Sequence, residues 1–359
     1  MTWARDRFGV HGRGQHERDR RQRDGQQSDG QRPDGQRRRG GRGGEQLVVP
    51  RAQPDSYYGK PIIKEPPWRS RDVAGYLFFG GLAGASSVLA GFAQATGRNE
   101  LARASKVCAT GAIGLSGAAL VADLGRPERF LNMLRVAKVT SPMSVGSWLL
   151  TGFGGAATVA AASAVTGRAP RIGAAATAAA TALWPAICTY TAALICDTAV
   201  PAWHEAHREM PYLFAGSAAS AAGGFGMIAA PAEQAGQAVR FAVLGAATEL
   251  TAKSLLMRRL GETAEPYHTG RPGQLMETAE VLTAAGLAGA VLSGGMRPGA
   301  GQRLTTALSG AALVASSALT RFGIFEAGRA SARDPKYTVR PQRERLRQQA
   351  AGESAGTAH

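Results

Sequence analysis

From Asp72 to Phe325 the chain repeats one pattern, an apolar run of about 20 residues followed by a short polar break containing Gly or Pro. A run of that length crosses a hydrocarbon core about 30 Å thick as an α-helix, because a helix pairs its own backbone polar groups and lipid offers them no partner. Eight such runs occur, at approximately 73–96, 102–123, 144–166, 172–199, 210–230, 235–257, 276–295 and 302–325. The pattern predicts an all-α integral membrane protein, with about eight transmembrane helices in a compact bundle and disordered polar tails. Its divisions are a tail at 1–56, the membrane domain at 57–325 and a polar, basic C-terminal tail at 326–359. Gly, Ala and Ser dominate the runs, as in Gly80-Gly81-Leu82-Ala83-Gly84-Ala85-Ser86-Ser87, and small residues let membrane helices approach closely.

The net charge of +16 would suit a soluble nucleic-acid binder, but its distribution argues otherwise. Residues 1–71 hold 17 of the 42 Lys/Arg and 9 of the 26 acids, and residues 326–359 hold 7 and 4. The 254 residues between them keep 18 basic and 13 acidic side chains, too few for a water-facing surface of that size. Residues 1–50 are rich in Arg, Gln, Gly and Asp, with Asp-Gly-Gln recurring at Asp24, Asp29 and Asp34, and cannot bury enough apolar area to order themselves. An Arg/Gly tail can bind nucleic acid or anionic lipid, or simply be solvated; the solvated reading is preferred and no specific nucleic-acid partner is expected. The first apolar run lies behind a long charged segment, unlike a cleavable secretory signal of the usual layout.

An even number of spans puts both tails on one side. The tail-side loops hold eight Lys/Arg, and the opposite side also reaches eight when Arg103, Lys106, Arg240 and Arg303 near the ends of the runs are counted with the four in its loops. Counting the tail residues near the outer spans, Lys60, Lys64, Arg69, Arg71, Arg329, Arg333, Lys336, Arg340, Arg343 and Arg345, makes 18 against 8. By the positive-inside rule the expected location is a bacterial plasma membrane with both termini cytoplasmic.

The most distinctive break follows Asp123. Gly125 and Pro127 end the second run, Glu128 to Arg135 can form a short amphipathic turn at the interface, and Ser141-Pro142 offers an N-cap and a first-turn proline for the third run. Such an elbow can be no more than an interfacial loop with snorkelling arginines. Its words Leu124-Gly125-Arg126-Pro127-x-Arg129-Phe130-x-Asn132-Met133-Leu134 and Thr140-Ser141-Pro142-Met143-Ser144-x-Gly146-Ser147-Trp148 resemble the signature of the NrfD/polysulfide-reductase membrane-subunit family. Tyr58-Gly59-Lys60-Pro61 and Pro66-Pro67-Trp68 leading into Tyr76 resemble the family's approach to its first helix. Tyr190 to Asp197, followed by Trp203-His204-Glu205, resembles its fourth helix and following loop. The resemblance spans about 57–325.

It implies a haem-free subunit that exchanges electrons between membrane quinone or quinol, menaquinone being the expected species, and a ferredoxin-like iron–sulfur subunit. That partner commonly serves a molybdopterin catalytic subunit. The composition is compatible. No histidine lies within a run to ligate a membrane haem, and Cys108, Cys188 and Cys196 sit singly in apolar runs, so neither haem nor cluster is expected in this chain. The alternative from another class is a secondary transporter or proton-translocating module, since Gly/Ala-rich helices with scattered acids also suit moving helices.

Quinone chemistry moves protons with electrons, so a site needs hydrogen-bond donors to the carbonyls and an acid/base chain to water. Tyr76 and Tyr190 are the candidate quinone donors, or else interfacial and packing tyrosines. Asp123 and Asp197, at the tail-side ends of the second and fourth runs, are candidate proton carriers, with His204 and Glu205 as a relay at the pocket mouth. His204 and His207 lack a third ligand and no metal site is expected. Arg126 and Arg129 can meet an acidic iron–sulfur partner or lipid phosphates. Glu249 and Lys253, one turn apart in the sixth run, read as a neutralised intrahelical pair ahead of a proton path.

Overall fold

The computed structural model describes residues 62–126 and 128–356. The tail at 1–56, the Tyr58-Gly59-Lys60-Pro61 motif and the Pro127 breaker lie outside the described residues. In chain order the helices are α1 Ser70–Ala95, α2 Asn99–Leu124, α3 Glu128–Leu134, α4 Pro142–Thr166, α5 Pro170–Cys196, α6 Pro201–His204, α7 Met210–Ala229, α8 Ala235–Leu260, α9 Glu265–His268, α10 Gly270–Gly295, α11 Ala300–Arg333 and α12 Lys336–Gly356. The eight expected runs coincide with α1, α2, α4, α5, α7, α8, α10 and α11. Seven of these are long and apolar enough to cross a membrane, by length and composition. The other is α8, whose composition falls short because Arg240, Glu249 and Lys253 interrupt its apolar residues. The chain is a multi-pass membrane protein.

Short connections make successive helices antiparallel neighbours. Thr96-Gly97-Arg98 joins α1 to α2, with Gly97 in the left-handed region at φ 71°, and Gly167-Arg168-Ala169 joins α4 to α5. The starts of α1, α4, α7 and α10 therefore share one face with the ends of α2, α5, α8 and α11. Contacts across that face agree: the Arg69 amide donates to Asp123 Oδ1 at 3.4 Å, and Arg259 pairs with Glu209 at 2.5 Å. Helices α1, α2, α4 and α5 form one half of the bundle and α7, α8, α10 and α11 the other, with α1, α5, α7 and α11 meeting at the centre. Helix α1 is buried on nearly every side, whereas α2 and α4 turn Leu115, Val159 and Val165 outward, as lipid-facing helices do.

Lipid supplies no hydrophobic drive between helices, so close backbone packing carries the association. A Cβ on Gly216 of α7 would lie 2.6 Å from the Glu249 backbone nitrogen on α8, and one on Gly224 would lie 2.6 Å from the Gly310 carbonyl on α11. Glycine is required wherever two backbones come this near.

Three expectations change. The C-terminal segment is not a disordered tail. Helix α11 continues to Arg333 and α12 follows, because Arg, Gln, Glu and Ala favour helix and because Lys336 pairs with Glu265 at 3.0 Å and Arg340 with Glu262 at 3.6 Å. Ser141 occupies the N-cap of α4 without a side-chain cap bond; Ser144 does the local work, donating to Val136 O at 2.6 Å and accepting from the Lys138 amide at 3.0 Å. Glu249 and Lys253 are not paired. Lys253 turns to Glu280 of α10 at 2.6 Å and to Met276 O at 3.2 Å, while Glu249 turns inward to Thr320 of α11 at 2.9 Å.

Candidate functional site

At the face bearing the ends of α2 and α5, the first half-bundle opens into a cleft of about 780 Å³, its open mouth included. Helix α1 contributes Asp72 and Tyr76, which are i and i+4 and so share one helix face. Helix α2 contributes Leu120 and Asp123, α5 contributes Tyr190 and Leu194, and Met133 and Met143 close the side formed by the elbow. Trp68 stands at the mouth, stacked on the fully buried Trp203 at 6.1 Å between ring centroids. Trp203 is itself fixed by donating from Nε1 to Ile324 O at 2.8 Å.

The two phenols meet inside. Tyr76 is buried and Tyr190 half-buried, and both side chains line the same cleft, near enough to act on each other electrostatically. Two features place them. Ser116 donates to Tyr76 O at 3.1 Å and ties α2 to that turn of α1. Gly146 of α4 lets the Tyr190 ring lie against the helix backbone, since a Cβ there would overlap the phenol carbon and oxygen. Apart from Trp68 and Ser147 the remaining walls are aliphatic or thioether, so the cleft offers a flat apolar molecule two phenols together with the carboxylates of Asp72 and Asp123. Asp123 takes the Arg69 amide, and Asp72 lies close enough for the two carboxylates to repel.

Of the residues singled out in the sequence, the cleft brings together Tyr76, Tyr190 and Asp123. Asp197 is exposed just past the end of α5 and does not line it. His204 is exposed, its Nδ1 3.3 Å from Cys196 O, and Glu205 lines a different cavity with Glu262, Lys336 and Arg340 beneath α12. Arg126 and Arg129 are exposed on the elbow, where Arg129 donates to Leu124 O at 3.1 Å and caps the end of α2. Asp72, Trp68 and Gly146 were not anticipated as site residues. The signal for Asp72 was its i,i+4 spacing from Tyr76, and for Gly146 its place within the Ser-x-Gly-Ser-Trp word.

Ion pairs knit the face around the cleft. Glu65 bridges Arg329 at 2.6 Å and Arg333 at 2.7 Å, and the Arg333 guanidinium, followed by that of Arg329, holds its carboxyl below the usual range against a smaller opposing effect of burial. Arg259 does the same to Glu209 at the start of α7.

Residues 67–230 match the family described as polysulphide reductase, NrfD. The match takes in α1 to α7, and so the whole cleft, and ends before α8. No curated protein matches the chain.

Proposed function

We propose that this chain, whose residues 67–230 match the NrfD family, is a membrane subunit of a polysulphide reductase or related reductase complex, and that the cleft is where it exchanges electrons with membrane quinone. The observation that carries this reading is the convergence of Tyr76, Tyr190 and Asp123, from three helices, on one apolar cleft at the face where α2 and α5 end. The phenols of Tyr76 and Tyr190 hydrogen-bond a quinone oxygen. In the oxidative direction a quinol gives up two electrons and two protons. The protons pass from the quinol hydroxyl through the phenols to Asp123 and Asp72 at the rim, and from there to water.

In this reading the electron acceptor is a ferredoxin-like iron–sulfur subunit docked over the mouth, which in turn serves a molybdopterin subunit. Arg126 and Arg129 are exposed there, Arg129 while also capping α2, and meet its acidic surface. Asp197, His204 and Glu205 are the next proton acceptors along the same face.

The test is quinol-analogue oxidation by the complex purified in mild detergent. Tyr190→Phe and Asp123→Asn should each lower turnover, the latter on the order of a hundredfold, with assembly unchanged by size-exclusion chromatography. Unchanged rates in both variants would move the site elsewhere. Peptide mass spectrometry of the purified complex should find a cysteine-rich ferredoxin-like subunit, and consistent recovery of this chain alone would refute the electron-transfer reading.

A further inference from the structure

A second polar centre lies deeper in the bundle, outside the residues the cleft uses. Arg321 of α11 is 1% exposed, with its guanidinium carbon 3.8 Å from the centroid of the Phe214 ring and Nη2 donating to Phe214 O at 2.7 Å. Its Nε and Nη1 find no partner among the described residues. Glu249 of α8 is 4% exposed; Oε1 accepts from Thr320, and Oε2 finds no partner. Ser220 Oγ on α7 is likewise buried and unpartnered.

The charges of Glu249 and Arg321 are near enough to act on each other, yet the two side chains make no direct ion pair. A Cβ at Gly81 would lie 3.5 Å from Arg321 Nη2. Gly81 is five residues beyond Tyr76 on α1, about 7.5 Å along the helix axis, so the guanidinium packs against α1 more than a turn deeper than Tyr76 is attached.

An ionised side chain within the hydrocarbon region is costly unless it is paired or hydrated, and a buried polar atom without a hydrogen bond is costly by itself. Here a carboxylate oxygen and two guanidinium N–H groups are left over together. Internal water answers such a set, because each molecule needs two to four polar partners and can both donate to Oε2 and accept from Arg321. The neighbouring charged groups are otherwise committed. Lys253 on α8 is held by Glu280 and Met276 O from α10. Helix α7 presents only hydroxyls, Ser217 beside the carboxylate and bonded to Ser317 at 2.9 Å, and Ser220. Helix α5 presents the Cys188 thiol, which donates to Gly81 O at 3.7 Å.

We propose that Glu249 and Arg321 hold bound water between them and together form a proton-binding site inside the membrane, one level below the cleft. The carboxylate takes up on Oε2 an excess proton from bulk solvent, relayed through that water, which accepts one proton as it gives up another and so stays neutral. The proton returns by the same route, and Arg321 supplies the fixed positive charge that keeps the site from trapping it. No electrons move in this step. The site rests on its own geometry and stands whether or not quinone occupies the cleft.

The experiment is infrared difference spectroscopy of the full-length protein in lipid nanodiscs, between acid and alkaline pH, without quinone, in H2O and in D2O. The expected result is a protonated-carboxyl stretch that titrates, moves in D2O, and is missing in Glu249→Gln. A difference spectrum unaltered by Glu249→Gln in folded protein overturns the proposal. Should that variant fail to fold, Thr320→Val removes the donor to Oε1 and must shift the same band; a band that stays in place is equally fatal.

Discussion

Gly146→Ala isolates the contact that seats Tyr190. A methyl group at this position would fall on the phenol carbon and oxygen of Tyr190, so either the ring swings out of the cleft or α4 shifts away from α5. Overpacking of this kind costs about 1–3 kcal/mol. Against it stands the gain of replacing a helical glycine by alanine, about 0.5–1 kcal/mol. Gly152→Ala, two turns further along α4, makes the same replacement with nothing within 4 Å of the new Cβ. The helix-propensity gain cancels between the two variants, and their difference is the steric cost alone, about 1–3 kcal/mol. If quinol binds where Tyr190 points, that cost corresponds to roughly 5- to 150-fold in the dissociation constant of a quinol analogue.

The assay pairs thermal melts in detergent with titration of the analogue. Gly152→Ala should melt at or above wild type and bind normally, whereas Gly146→Ala should lose both. In a Tyr190→Ala background the obstructing ring is gone, and the penalty of Gly146→Ala should vanish. Equal behaviour of the two glycine variants, or a penalty that persists without the Tyr190 ring, would refute the placement of that ring.

The interface between α7 and α8 should be less forgiving, because a Cβ on Gly245 meets the backbone of Ala219 at 2.8 Å and the Gly216 carbonyl at 2.8 Å, atoms that cannot rotate away. Gly245→Ala is expected to cost at least about 3 kcal/mol and to abolish monodisperse protein on size exclusion. Trp203→Phe leaves the buried Ile324 carbonyl without its donor, and the melting temperature should fall by the equivalent of about 1–3 kcal/mol. Glu65 is held below its ordinary value by Arg333 and Arg329, so its contribution is present above the unfolded carboxylate value and is lost as pH falls through the lowered folded one. Its side chain is 32% exposed, which limits the effect to under about 1 kcal/mol. Melts of wild type and Glu65→Gln should differ at pH 7 and converge once the pH is below that lowered value.

The succession of long helices was legible because one physical requirement, spanning lipid with an internally bonded backbone, writes itself on the sequence as length and apolarity. Helix ends were less so. The fourth run was read to residue 199, but α5 ends at Cys196, because Asp197, Thr198 and the following Pro201 stop it. The last run was read to 325 although α11 continues to Arg333, since polar residues mark where lipid ends and not where a helix does. Tyr76, Tyr190 and Asp123 could be picked out as polar groups on apolar helices. Their meeting could not, because it depends on α4 presenting a glycine, not a side chain, opposite Tyr190.

Glu249 shows where sequence reasoning of this kind reaches its limit. On an isolated helix Glu249 and Lys253 at i,i+4 form a favourable pair, and the spacing invites that reading. In the bundle each has a better partner on another helix. Lys253 lies on the outer side of α8, where Glu280 can neutralise it, and Glu249 faces α11, where Thr320 and Arg321 wait. Arg321 drew no attention in the sequence because it stands near the end of an apolar run, where an arginine ordinarily snorkels to the headgroups. Here α11 runs three turns further, to Arg333, so Arg321 lies well inside the bundle and cannot reach them. The same misjudged helix end thus hid both the length of α11 and the one fully buried arginine among the described residues, and the orphaned oxygen of Glu249 makes sense only once both are known.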